Sequence, residues 1–374
     1  GSEMCIRDSY TADRAPADML FTGIYRGYEQ RSERWGDKAT RRFYNALLAP
    51  RTRDEDGYTV GRDAGTLVIA TRSAVLEGDL ASDTYQGVRQ DLAPQAGLDG
   101  YSQSQRAAAR GGALVVGNDL RYYDPVTKLV HYQLGATGDT VADVTLGTGR
   151  ERLADGLDLA AALPRENQGK LFLDVDRLNG FALGRVRIAA GRSITVDSAL
   201  RSADGGEITL YAPEVDIKAN LVSRGGLIQA GNVLLQPSFL APRIEDAALA
   251  PQPQQLARLH VAAGVVLDAR GVWANLLRDA EGLAGLPVRD GGRVALRGTG
   301  DVVVDVGSVL DVSAGASVLA DGKLRGGKGG SVTLAAHVPS GVQSSGGLLS
   351  FGGEARGYGV TGGGTLSVSS GCLL

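Results

Sequence analysis

An internal repeat of about 21 residues constrains this chain more than any other feature of its sequence. Gly184–Gly206 (GRVRIAAGRSITVDSALRSADGG) aligns with Gly205–Gly226 (GGEITLYAPEVDIKANLVSRGG), and Val186 then falls on Ile208. Within each unit apolar residues alternate with polar ones, which is the period of a β-strand. We therefore expect these apolar residues to point inward and to stack in adjacent units. The other aligned pairs are Ile188 with Leu210, Ile194 with Val215, Val196 with Ile217, and Leu200 with Leu221.

The same unit recurs elsewhere in the chain. In Gly291–Gly315, Val294 and Leu296 are followed eight residues later by Val302 and Val304. Further copies lie in Ala64–Ser82 (Leu67 and Ile69, then Val75, then Leu80), Ala257–Trp273, Gly329–His337 and Gly363–Gly371. A single unit cannot bury its aliphatic face, but stacked units cover one another.

This repeat predicts an all-β fold, a parallel, right-handed β-helix or solenoid with rungs of about 21 residues and ejected loops. Glycine supplies the corners at which the backbone changes direction. A β-sandwich or a propeller would instead require antiparallel hairpins and longer units.

The two chain ends resemble translated sequencing-adapter DNA. We interpret Gly1–Ser9 and Cys372–Leu374 as artefacts of this kind and expect them to pack poorly and to join no core ladder. Cys5 and Cys372 are the two cysteines of the chain, so the remainder has none. That excludes a disulfide framework, a cysteine-ligated zinc site and a thiol nucleophile. We interpret the chain as an internal piece of a longer protein.

Composition narrows the function classes further. The chain has 54 glycines among 374 residues, while aromatic residues make up only 5%, which favours a β-rich protein of small turns and aliphatic strands. Its net charge is −3 and it has no polybasic tract, so nucleic acid is not an expected partner. No apolar run has the 18 or so residues of a membrane-spanning helix, and we expect no membrane insertion of this segment.

The repeat divides the chain into regions. We expect a charged and aromatic side loop or extension over residues 10–60, irregular β-helix rungs with insertions over 61–180, and a regular β-helix over 181–371. Arg152–Leu163 has a helix-like leucine pattern that ends at Pro164. Proline-rich residues 237–257 are expected to form a loop ejected from one corner.

A possible ligand surface lies in Tyr10–Tyr58, where aromatic residues and arginines are interleaved. Aromatic rings stack on sugar rings, and arginine forks hold carboxylates and sulfates. We therefore hypothesise that contacts with acidic glycans are made there. The residues proposed for this surface are Tyr25, Tyr28, Arg31, Trp35, Arg41, Arg42 and Tyr44.

The sequence contains no specific catalytic set, so we predict no enzyme, no cofactor and no metal site. The three histidines, His131, His260 and His337, have no second histidine at metal-ligand spacing, and we expect the His260 ring to face outward. Aspartates recur near strand ends and resemble the paired acids of a β-helix glycosidase or lyase, although turn capping also explains them. They are Asp197, Asp216, Asp268, Asp305 and Asp311.

Several phrases of the sequence resemble the filamentous-haemagglutinin-type exoproteins of two-partner secretion systems. These are GRDAGTLVIATRSAVLEGDL, ADGGEITLYAPEVDIKANLVSRGG, GVVLDARGVWANLL, GSVLDVSAGASVLADGKLRGGKGG and EARGYGVTGGGTLSV, and together they cover about half of the chain. The resemblance implies a very long protein of a Gram-negative bacterium, exported through an outer-membrane transporter barrel and secreted or displayed at the cell surface. It implies the role of an adhesin, a biofilm factor or a stalk that carries a terminal toxin. Host or biofilm glycans are candidate ligands of such a protein, and no functional residues carry over from the resemblance.

Two functions therefore remain open at this point. The first is a stalk segment of a cell-surface adhesin that mediates or supports attachment. The second is a carbohydrate-active β-helix enzyme, a lyase or a glycosidase, which would require convergent carboxylates in a cleft.

Overall fold

A computed structural model of the chain describes residues 59–370, except 86, 88–89, 91–108, 126–127, 150–157, 159, 161–162, 238–243, 276–287, 319–321 and 340–346. Before residue 59 it describes Arg14 and the backbone of two strands. The chain divides into two compact units, one of residues 1–59 and 93–105, the other of 60–92 and 106–374. Both predicted adapter strings, and most of the helix-like stretch Arg152–Leu163, lie outside the described residues.

The described residues of the first unit include an antiparallel pair of strands. Strand β1 (Gly27–Ser32) pairs with β2 (Gly36–Tyr44), with Tyr28 opposite Phe43 and Glu29 opposite Arg42. The register shifts between Gln30 and Ser32, which marks a β-bulge or another irregularity.

The second unit is built on three parallel sheets. In the first, sheet A, eight strands lie side by side. They are β3 (Thr66–Ile69), β4 (Ala113–Val116), β9 (Arg185–Ala189), β12 (Glu207–Tyr211), β15 (Leu227–Gly231), β21 (Arg293–Arg297), β26 (Ser331–Ala336) and β29 (Thr365–Ser370).

Sheets B and C have seven and five strands. In sheet B these are, in spatial order, β8 (Lys170–Asp174), β7 (Asp143–Gly147), β10 (Ser193–Val196), β13 (Glu214–Ile217), β18 (Arg258–Val261), β22 (Asp301–Val304) and β27 (Leu349–Phe351). In sheet C they are β11 (Leu200–Arg201), β14 (Leu221–Val222), β19 (Val266–Asp268), β23 (Val309–Asp311) and β28 (Glu354–Arg356).

The register predicted from the repeat is confirmed. Val186 pairs with Ile208 and Ile194 with Val215, in parallel, as do the other pairs aligned from the sequence. The apolar members of these ladders are fully buried and belong to one continuous aliphatic cluster. Because alternate side chains of a strand point to opposite faces, the polar residues between them lie on the outer faces of the sheets.

Glycine pairs before the strands of sheet A have two separate roles. Gly205 and Gly225 have φ values of 72° and 60°, which glycine adopts without the strain that a Cβ atom causes. Gly226 is needed for a different reason, because a Cβ atom there would lie 2.2 Å from the carbonyl oxygen of Gly206, which has the same place before the neighbouring strand β12. Close approach of these two chain segments therefore selects glycine as the second residue of the pair.

The spacing of the repeat is less regular than the sequence predicted. Val186 and Ile208 are 22 residues apart, but their successors in the same ladder, Ile228 and Val294, are 66 apart. The chain between β15 and β21 holds additional structure, including an antiparallel hairpin of β16 (Val233–Pro237) and β17 (Ile244–Ala248). Within the region predicted as an ejected loop, residues 237–257, Pro237 and Ile244–Ala248 are therefore paired strand, and residues 249–257 are not.

One prediction within the first copy of the repeat is wrong. Leu67 and Ile69 lie in β3 as expected, but Val75 and Leu80 form no strand. The edge of sheet B is instead supplied by β8, which pairs with β7 although it follows β7 in the chain. The alternation in β8 buries Leu171 and Leu173, whereas the segment after Ile69 has no such alternation.

The remaining elements are short. A 3₁₀ turn (Arg165–Asn167) precedes β8, and helix α1 (Val175–Gly180) follows it, capped by the Asp174 carboxylate. Strand β24 (Ala316–Val318) pairs with β20 (Ala274–Asn275) and with β25 (Leu324–Gly326). A second hairpin, β5 (Asn118–Asp124) and β6 (Leu129–Gly135), leaves sheet A after β4. No helix in the described part of the chain has the length and hydropathy needed to cross a membrane.

Candidate functional site

The hairpin of β5 and β6 leaves sheet A through a Gly-Asn pair. Gly117 follows β4 with a φ of 104°, and a Cβ atom on it would lie 2.7 Å from the carbonyl oxygen of Gly135. Asn118 then starts the antiparallel ladder opposite Gly135. Glycine is therefore required where the chain turns out of the parallel sheet.

The base of this hairpin is anchored on the outer face of sheet A. Leu134 is buried in a second apolar cluster with Val115, Tyr211 and Leu234, separate from the main core. Gln236, on β16 of the neighbouring hairpin, binds the backbone of Leu134. Its side chain accepts from the Leu134 N–H and donates to the Leu134 carbonyl oxygen, both at 3.0 Å. The same burial raises the pKa of Tyr211. Both hairpins are therefore fixed to the sheet and to each other.

The far part of the β5–β6 hairpin is exposed and rich in aromatic side chains. Tyr123 is 59% exposed and pairs with Val130, which is 49% exposed. Arg121 pairs with Tyr132 and places its guanidinium over that ring, 5.4 Å from the ring centroid. We call Arg121, Tyr123, Val130 and Tyr132 the tyrosine platform.

On the opposite face of the hairpin, Tyr122 stacks on His131 with ring centroids 5.1 Å apart. The apolar residues of Leu129–Leu134 are compatible with a strand, but the local sequence specifies neither the partner strand nor the exposure of the rings. The Gly-Asn pair after β4, which recurs at Gly231 and Asn232 near the end of β15, was the available signal of a hairpin.

A polar network links successive turns on the outer face of sheet B. The two ring nitrogens of His260 lie 2.8 Å from Asp216 Oδ1 and 2.9 Å from Asp305 Oδ2. Lys218 donates to Asp197 at 3.2 Å and lies 3.5 Å from Asp216. The outward position predicted for His260 is confirmed, since its side chain is one-fifth exposed. Asp197, Asp216 and Asp305 therefore bind side chains on or next to neighbouring strands of sheet B. Capping of β-turns does not explain these three aspartates.

Turn capping does explain the two aspartates of sheet C. Asp268 Oδ1 accepts from the Arg270 N–H at 3.1 Å, and Asp311 Oδ1 accepts from the Ser313 N–H at 3.0 Å. The two aspartates are register partners on β19 and β23, and both are buried. They are therefore the carboxylate pair that best fits the enzyme alternative.

Asp268 is held in its ionised form. Burial alone raises the pKa of this carboxyl, but hydrogen bonds from the Arg270 side chain and backbone, with the charges of Arg270 and Arg224, outweigh burial and hold the pKa below its ordinary value of 3.8. The guanidinium of Arg270 binds both carboxylate oxygens, at 2.9 and 2.7 Å. A carboxylate in this state is a poor general acid.

We expect Asp268→Asn to destabilise the chain at pH 7 by about 1.5–3 kcal/mol, because a hydrogen bond to a charged group is lost. A lowered folded-state pKa stabilises the fold above the unfolded-state pKa, and this stabilisation disappears as the pH falls through the folded-state value. The gap between the two proteins should therefore begin to narrow below about pH 4 and close only below the folded-state pKa of Asp268. Urea denaturation at a series of pH values measures it. Asp139→Asn, in the exposed pair with Arg72, is the control. A gap that stays constant down to pH 2.5 would contradict the prediction.

The structure describes part of the surface predicted from Tyr10–Tyr58. Tyr28 and Arg31 lie on β1, and Arg41, Arg42 and Tyr44 lie on β2. Arg42 is opposite Glu29 in the ladder and Arg41 is opposite Gln30. Tyr25 and Trp35 lie outside the described residues. Contact of this segment with acidic glycans stays a prediction.

A recess beside α1, lined by Leu76, Asp174 and Arg177 among others, has room for about one water molecule, so it does not admit a sugar ring.

Among the described residues, no three histidine, cysteine, aspartate or glutamate side chains are grouped so as to hold a metal ion. Comparisons with family models, with characterised proteins and with solved structures give no match to this chain.

Proposed function

We propose that this chain is a stalk segment of a large secreted adhesin at the surface of a Gram-negative bacterium, folded as a right-handed parallel β-helix. One observation carries the proposal. Strands β9, β10 and β11 enter sheets A, B and C in turn, and β12, β13 and β14 do so again in register. A parallel crossover within one sheet is right-handed in nearly all proteins, which supports the proposed hand.

A stack of this kind suits a stalk for a physical reason. Each turn buries its aliphatic residues against the turns on either side, so further turns lengthen the stack without enlarging its core. Side chains available for recognition then lie on the outer faces and on the inserted hairpins. The polar network around His260 and the tyrosine platform both have such positions.

The family resemblance supplies the remaining parts of the proposal. It supports export through an outer-membrane transporter barrel, an extracellular or cell-surface location, and host or biofilm glycans as ligands. A chain without cysteine between its terminal strings is compatible with this route, because it reaches the outside without forming disulfides.

The alternative is a carbohydrate-active β-helix enzyme, a lyase or a glycosidase. The buried Asp268–Asp311 pair is the observation that favours it. Against it stands the binding of Asp268 by Arg270, which occupies both of its carboxylate oxygens. In a glycosidase both carboxyls act at the scissile bond, so Asp268 would have to be free to serve as acid, base or nucleophile.

The test uses the whole chain coupled to beads. Retention of the beads is measured on epithelial cells and on biofilm matrix, with beads carrying the heat-unfolded chain as the control. Release of new reducing ends or unsaturated sugars from the same glycans is measured in parallel. The proposal expects retention of the folded chain without release of sugars. Sugar release that Asp268→Asn with Asp311→Asn abolishes would overturn it in favour of the enzyme.

A further inference from the structure

We propose that the tyrosine platform on the β5–β6 hairpin binds a neutral polysaccharide. This inference rests on the proposed adhesive function and names a ligand class and a site for it. The site differs from the Tyr10–Tyr58 segment, for which the sequence suggested acidic glycans.

The platform has the form that a sugar chain requires. Arg121 and Tyr123 are two residues apart on β5 and therefore share a face, and their register partners Tyr132 and Val130 share it with them. Tyr123 and Tyr132 are diagonal neighbours across the two strands, a separation of about 7–8 Å between backbones that long aromatic side chains bridge. The exposed parts of these two rings, 59% of Tyr123 and 39% of Tyr132, therefore offer neighbouring apolar surfaces to the C–H faces of sugar rings.

The hairpin that carries the platform is anchored at its base, and Arg121 is held within the platform itself. Leu134, on the same strand as Tyr132 and Val130, is 1% exposed, and the Gln236 side chain binds both its backbone N–H and its carbonyl oxygen. The Arg121 guanidinium is fixed between the Tyr132 ring and Asp119, to which its Nε donates at 3.0 Å. Tyrosine has few rotatable bonds, so binding at a fixed tyrosine surface orders little and loses little entropy.

The charges on this face select a neutral ligand. Among the described residues of the face, the charged side chains are Asp119 and Arg121, and they form an ion pair with each other. Because these two charges are paired, the face offers an acidic glycan no net charge of opposite sign to bind. Hydroxyl groups of a neutral sugar instead hydrogen-bond the phenols and the guanidinium without breaking the pair.

The experiment compares the whole chain with three variants in binding to neutral polysaccharides (dextran, mannan and soluble xylan) and to acidic ones (heparin and polygalacturonate). We expect Tyr123→Ala with Tyr132→Ala to weaken binding to at least one neutral polysaccharide about tenfold or more, because both stacking surfaces are lost. Tyr123→Phe with Tyr132→Phe should keep most of the affinity, since the rings remain. Tyr358→Ala removes a tyrosine outside the platform that is 71% exposed, against 59% for Tyr123 and 39% for Tyr132, and should change nothing. Circular dichroism checks that each variant is folded.

Failure of this inference is separable from failure of the adhesin proposal. If the chain binds none of the neutral polysaccharides, or if the double alanine variant binds as the original does, the platform is not a sugar site, whatever the bead retention shows. Self-association that the alanine variant abolishes, without sugar binding, would also overturn the inference and make this face an interface between copies. Beads that neither cells nor matrix retain, with polysaccharide binding intact, would instead count against the adhesin proposal alone.

Discussion

Replacing Leu210 with alanine is expected to lower the free energy of unfolding by about 2–5 kcal/mol, the range for a fully buried leucine. Leu210 is buried in β12 between Ile188 and Ala230 of the adjacent turns. Because Ala230 is already small, the neighbouring turn cannot fill the space that the substitution leaves. The cavity should therefore persist and place the loss at the upper part of the range.

Leu366→Ala is the matched control for this prediction. Leu366 lies in β29 of the same sheet but is 49% exposed, and we expect its replacement to change stability by no more than about 0.5 kcal/mol. Urea denaturation followed by circular dichroism measures both, and hydrogen exchange of the amides in β9, β12 and β15 locates the loss. Equal effects of the two substitutions would show that the aliphatic ladder does not stabilise the stack as described.

Replacing Asn232 with alanine is the second substitution with a large expected effect. Its side chain accepts from the Thr299 N–H at 2.9 Å and donates to Thr299 Oγ1 at 2.8 Å and to the Leu249 carbonyl oxygen at 2.9 Å. Asn232 and Thr299 are both buried, so water does not replace these bonds. Each buried group left without a partner costs about 1–3 kcal/mol, and we expect a total loss of at least about 2 kcal/mol.

Asn118→Ala is the control for Asn232→Ala. Asn118 has the equivalent place at the start of the other hairpin, but its amide donates to Thr137 Oγ1 at 3.2 Å in an exposed position. We expect its loss to cost less than about 1 kcal/mol, because water satisfies the freed groups. Thermal unfolding compares the two variants at equal concentration. A loss at Asn118 as large as that at Asn232 would show that burial of the amide is not what matters.

The sequence by itself determined the parallel ladders. The alternation around Val186 and Ile194, repeated about 21 residues later, specified which side chains are buried and which turns are adjacent. A slip of one residue would turn every apolar side chain to the outside, so one register alone buries the aliphatic rows. The glycines before the strands follow from the same repeat, because successive turns approach too closely there for a Cβ atom.

Only the tertiary structure decided which segments take places outside the repeat. Lys170–Asp174 supplies the edge strand of sheet B, whereas Val75, an apolar position of the first copy of the repeat, lies in no strand, because pairing between distant segments depends on which strand fits the available edge. The hairpin of β5 and β6 is stabilised by Gln236, 102 residues away from Leu134 in the chain. A contact between residues so far apart in the chain produces no pattern in the local sequence, so the residues around Leu134 do not indicate that Gln236 binds it. The tyrosine platform therefore became visible only once both hairpins were placed on sheet A.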